Sequence, residues 1–132
     1  MTEIINLQRR FQIWAYSVGH SLLLLRSNKS SEFSTRVEIL FSGVAALKLP
    51  TTFEGLSIIE VSGQDETAGL DLELGYGSLT AKRVFVLRGS NFTGHVVASA
   101  LFSHEDDKEH FDRSYFKEAF SQADSEFLQN IV

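Results

Sequence analysis

Cysteine is absent from this chain. That excludes a disulfide framework, thiol catalysis and thiolate metal sites together. Long apolar runs are also missing. The longest purely aliphatic stretch, residues 22–25, is far below the ~20 residues a membrane-spanning helix needs. Residues 1–10 lack the basic start and apolar core of a signal peptide. The expectation is a soluble, cytoplasmic protein that does not enter a membrane. Dense positive charge is lacking as well. The formal net charge is −5, whereas nonspecific nucleic-acid binding needs a Lys/Arg surface that neutralises phosphates, so no nucleic-acid partner is expected. Arg9, Arg10, Arg26, Arg36, Lys82, Arg83 and Arg88 do alternate with aromatic residues, but the wet face of an ordinary sheet shows the same pattern.

Phenylalanine is what the chain has in quantity, 11 residues against one Met and one Trp. Rings that each bury about 150–250 Å² favour a rigid aromatic core. A length of 132 residues fits one domain spanning residues 1–132, large enough to hold a core without staples.

Seven short apolar segments between Arg10 and Ser103 set the fold expectation. Residues 10–18 and 21–27 read as a hairpin over Gly19-His20, since Gly suits the first central position of a type II′ turn. In that register Tyr16 faces Leu23 and Trp14 faces Leu25. Both faces of the hairpin are apolar, which places it centrally in a sheet. Residues 35–42 form the third strand, with Val37, Ile39 and Phe41 inward and Arg36 and Glu38 toward solvent. Residues 44–49 continue extended to Pro50, the only proline, and 53–55 read as a turn. Further strands are expected at 56–61 and 69–74, with a turn at 75–78, and a last hairpin joins 82–88 to 94–103 over residues 89–92. From Ser103 the spacing of Phe111, Tyr115, Phe116, Phe120 and Phe127 predicts an amphipathic helix. Ser103 with Asp106 resembles a capping box at its start, and the acidic first turn suits the helix dipole. The expected class is α+β: one largely antiparallel curled sheet of six to eight strands, a sandwich or partial barrel, with the C-terminal helix packed on it.

No catalytic constellation is visible, and neither a metal nor another cofactor is called for. His104 and His110 lie six positions apart, about 600° of rotation on a helix, and so diverge. His20 and Ser21 are strand neighbours that point apart. No glycine cluster has the spacing of a phosphate loop. Glu38, Glu60, Asp71 and Glu73 read as solvent-facing strand carboxylates. The two N-glycosylation triplets at Asn28 and Asn91 matter only on secretion.

The functional expectation is therefore a non-enzymatic protein that binds through a surface, for instance an acidic bacterial inhibitor or immunity-type protein. Residues 104–132 carry eight acidic and three basic side chains. Glu105, Asp106 and Glu109 are accordingly the candidates for steering a protein partner. The alternative is a pocket for a small apolar ligand, lined by Trp14, Tyr16, Phe41 and Phe85, with weak catalysis by a carboxylate.

Overall fold

The computed structural model describes residues 2–61 and 82–120. Eight strands are present: β1 (Thr2–Ser17), β2 (Leu22–Ser27), β3 (Arg36–Ser42), β4 (Ala46–Lys48), β5 (Thr52–Val61), β6 (Arg83–Arg88), β7 (Thr93–Ala98) and β8 (Ala100–Asp106). They form one antiparallel, curled sheet in the order β4-β7-β6-β5-β1-β2-β3-β8. No ladder joins the end strands β4 and β8 among the described residues. Chain continuity brings the two ends together instead, because β3 runs on toward β4 through residues 43–45 while β7 passes into β8 across Ser99. Two hydrogen bonds stitch this seam, Ser99 N to Ser42 O at 2.9 Å and Ala45 N to Val97 O at 2.8 Å. No helix among the described residues is long and apolar enough to cross a membrane.

Strand alternation sends one set of side chains into the curl. Phe11, Leu25, Ile39, Phe41, Ile58, Phe85, Leu87 and Val96 are all fully buried there. Phe41 and Phe85 meet edge to face at 5.4 Å, and Phe11 stacks on Phe53 at 6.2 Å, geometries that add to area burial. A smaller apolar cluster lies on the outer face, where Leu22, Leu24 and Leu40 are covered by Trp14, Ala15, Phe116, Ala119 and Phe120.

The central hairpin stands as expected, β1 and β2 lying in the middle of the sheet with Tyr16 opposite Leu23. Two details differ. The loop spans residues 18–21, with Ser21 at a φ of 51°, and a bulge at Trp14 leaves Ile13 rather than Trp14 opposite Leu25. β1 also begins eight residues earlier than the apolar alternation indicates, since its N-terminal half is held by backbone pairing to β5. Residues 53–55 belong to β5 and do not turn. Gly55, at a φ of 77°, marks a register shift against β1, a conformation glycine adopts without steric cost. The last hairpin joins β6 to β7 over residues 89–92 as expected, but its second arm, expected over 94–103, ends at Ala98.

The largest correction concerns residues 100–106, expected as the end of the last hairpin's second arm up to Ser103 and as a helix start from there. They form β8, paired with β3 in the register Arg36↔Asp106, Glu38↔His104, Leu40↔Phe102. Local capping signals contribute of order 1 kcal/mol, and a full ladder with matched charges outweighs them. Helix is confined to one turn at residues 117–120 among the described residues. Phe116 and Phe120 pack on the sheet, while Phe111 and Tyr115 are exposed. The expected strand at 69–74, the turn at 75–78 and Phe127 lie outside the described residues.

Candidate functional site

The outer face of β2, β3 and β8 carries a group of charges that the alternation pattern assigns to solvent. Arg26 and Arg36 are 1% exposed and Glu38 is fully buried. Register explains the grouping: Arg26 lies opposite Glu38, and Arg36 opposite Asp106. Arg36 and Glu38, two apart on β3, share a face. Arg26 donates through Nε and Nη2 to Glu38 Oε2 at 3.3 and 3.0 Å. Arg36 forks onto Asp106 at 3.2 and 3.1 Å, the bidentate geometry that makes arginine–carboxylate pairs strong. Its Nη2 also lies 3.6 Å from Glu38 Oε1. Two cations and two carboxylates balance.

What buries these charges is the chain after β8. His110 O accepts from Arg26 at 2.9 Å, and the carbonyls of Glu109, Asp112 and Arg113 accept from Arg36 at 3.3, 2.9 and 3.0 Å. Tyr115 N donates to Glu38 Oε1 at 2.9 Å. Residues 109–115 thus form a strap without regular structure whose backbone polar groups are satisfied by the sheet's buried side chains, as a segment lacking its own ladder requires. Aromatic contacts fasten both margins. Arg26 lies 4.0 Å over the Trp14 ring, His110 meets Trp14 edge-on at 5.1 Å, and His104 stacks on Tyr115 at 3.6 Å.

Electrostatics follow the geometry. Burial lowers the Arg26 pKa, opposed by its hydrogen bonds to Glu38. Burial alone would raise the Asp106 pKa, but the hydrogen bonds from Arg36 and from Lys108 N, with the nearby charges of Arg36 and His104, outweigh it and hold the carboxyl below its ordinary value. A third buried cation, Arg9, bonds to Ser27 Oγ at 2.7 Å and Thr35 O at 2.6 Å and covers the Phe33 ring at 4.4 Å. It latches the loop 28–35 to β1, and burial lowers its pKa.

Of the four residues expected to line an apolar pocket, only Phe41 and Phe85 are brought together. Phe41 and Phe85 fill the interior, Trp14 lies in the outer cluster, and Tyr16 is half exposed near the hairpin end. The acidic trio lies along β8 and the strap, and each member already has an intramolecular donor: Thr35 for Glu105, Arg36 for Asp106, and Lys29 at 2.8 Å for Glu109. His104 and His110 occupy different surroundings on β8 and on the strap, so the rotation of a helix is not what separates them. Among the described residues no group of three or more His, Asp or Glu is placed to hold a metal ion.

Two arrangements resemble catalytic pairs. His104 Nε2 lies 3.4 Å from Asp106 Oδ2, yet no hydroxyl among the described residues hydrogen-bonds the ring as a nucleophile would. Lys82 Nζ donates to Ser99 Oγ at 2.8 Å and to Gly43 O at 3.2 Å. That lysine is exposed, and it ties Ser99, between β7 and β8, to Gly43, after β3.

Sequence reading missed Arg26, Arg36 and Glu38 as a unit. The only local signal is the Arg-x-Glu spacing on β3, which an exposed strand shows equally. Comparison with protein-family models, with characterised proteins and with solved structures finds no match.

Proposed function

We propose that this chain is a non-enzymatic binding protein that acts through the outer face of β2, β3 and β8 and the strap that crosses it, in the manner of an inhibitor or immunity-type protein. One observation carries the reading: the inside of the curl is filled by aromatic and aliphatic side chains, while Phe111 is 87% exposed on the strap, with Tyr115 and Phe102 also exposed nearby. Exposed rings on a segment pinned by buried hydrogen bonds form a rigid anchor set, the kind that dominates protein interfaces. A photo-crosslinking side chain in place of Phe111, in the full chain in its native cell, is expected to yield a discrete protein adduct. The same group in place of Val18, exposed on the hairpin loop, should not. Absence of an adduct at position 111, or the same adduct from both positions, would refute the reading.

A second reading, an apolar small ligand, draws on a depression of about 330 Å³ at one mouth of the curl, lined among others by Ile4, Ile5, Leu7, Val37 and Ile39. It uses none of the four residues expected for a pocket. Binding of an apolar dye that is lost on Val37→Trp and kept in Phe111→Ala would favour it.

A further inference from the structure

Two depressions of about 330 Å³ each flank the strap and share Arg113, Ser114 and Lys117 as a common ridge. One is walled by Trp14, Leu24, Phe111 and Phe120. The other is walled by His104 and Tyr115 and rimmed by Lys108. Of the acids lining them, Asp106 is paired with Arg36, and Asp112 Oδ2 accepts from Glu109 N at 2.7 Å. Asp107 and Glu118 line neither depression. The side chains of Lys108, Arg113 and Lys117 are exposed and form no ion pair or hydrogen bond among the described residues. In a chain of net charge −5, three exposed cations without an ion pair among the described residues therefore line the two depressions, Arg113 and Lys117 beside Phe111 and Lys108 on the far side of the ridge.

Resting on the surface-binding reading, we infer that the partner presents an acidic segment carrying aromatic or aliphatic side chains, which lies along the ridge. Its carboxylates meet Lys108, Arg113 and Lys117, and its apolar groups meet Phe111, Tyr115 and the groove over Trp14. Like charges would be repelled from this face and opposite charges steered to it, so the selectivity runs opposite to the overall charge of the chain. Lys108, Arg113 and Lys117 thus determine sign preference, and the rings supply apolar contact area.

The single tryptophan reports occupancy, because Trp14 walls one depression. The full chain is titrated with a capped peptide of repeating Glu-Glu-Phe and with its Lys-Lys-Phe counterpart, following Trp14 emission at several salt concentrations. The acidic peptide is expected to bind, with affinity falling as salt rises. R113Q/K117Q should weaken it about tenfold or more. K48Q/R88Q, which removes the same charge elsewhere, should leave it within about twofold. Preference for the lysine peptide, or equal weakening by both double variants, would overturn the acidic partner while leaving a binding face in place. If neither peptide perturbs Trp14 and position 111 gives no crosslink, the face itself is refuted along with its ligand.

Discussion

Glu38→Gln tests whether the buried charges hold the strap to the sheet. Glu38 is fully buried, and both oxygens accept, Oε2 from Arg26 and Oε1 from Tyr115 N. Glutamine keeps the shape but offers one acceptor and one amide donor, so either orientation sets N–H against N–H. It also removes the negative charge between Arg26 and Arg36, leaving Asp106 to balance both. Breaking a buried pair by neutralising one partner costs about 3–5 kcal/mol, against the roughly 5–15 kcal/mol that stabilises a domain. At this length about 1 kcal/mol moves the melting midpoint by roughly 3–5 °C, so a fall of about 10–20 °C is expected in calorimetry. Hydrogen exchange at the Tyr115 amide should rise more than at core amides. The paired change Arg26→Met with Glu38→Leu should cost less than Glu38→Gln alone, because it removes both members and leaves no uncompensated charge from that pair. A midpoint for Glu38→Gln within about 3 °C of wild type, or a double variant that loses the sum of its two singles, would refute the clasp.

Acid should loosen the same region. The Asp106 pKa is depressed in the folded state by Arg36 and Lys108 N, acting against burial, so its contribution is fully present above the unfolded value of about 3.9 and is lost as pH falls through the lower folded value. Glu60, held down chiefly by its hydrogen bonds with Arg83, acts in the same sense. Denaturant melts below about pH 4 should show stability falling, with a shallower slope in Asp106→Asn. Gly43→Ala should destabilise by more than the ~1–2 kcal/mol of a left-handed residue, because Gly43 has a φ of 64° and an added Cβ would strike the Ser99 side chain. Chemical denaturation measures the loss, and an unchanged midpoint would show that the seam tolerates displacement. Deleting residues 111–132 removes the Asp112 and Arg113 carbonyls from Arg36 and uncovers Leu22, Leu24 and Leu40. The truncated chain should aggregate or lose cooperative melting, and a sharp transition near the wild-type midpoint would count against the strap.

Particular residues show where reading the sequence succeeds. Val37, Ile39 and Phe41 point inward as their period of two requires, and the Tyr16↔Leu23 register follows from the hairpin turn. Both depend on neighbours in sequence. The helix expected from Ser103 fails because an acidic, capped start is a weak local preference that β3 overrides. The turn expected at Gly55 fails because a glycine at positive φ serves a bulge as well as a turn. The four residues expected to line a pocket fall on two faces, because Phe41 and Phe85 fill the interior while Trp14 lies in the outer cluster.

Alternation and composition by themselves determined that the chain folds as a largely antiparallel curled sheet with an aromatic core built around the first hairpin, since burying one face of each strand is a local, periodic demand. The fate of the charges was decided only by the tertiary structure. Arg26, Arg36, Glu38 and Asp106 come from three strands whose pairing no local pattern specifies, and ion pairing acts through space across 12 to 70 residues of chain. Once those side chains met, they took the strap's carbonyls as ligands and left Lys108, Arg113 and Lys117 facing outward. The chain's overall acidity, which sequence reports directly, therefore differs in sign from the three cations on which we place its partner.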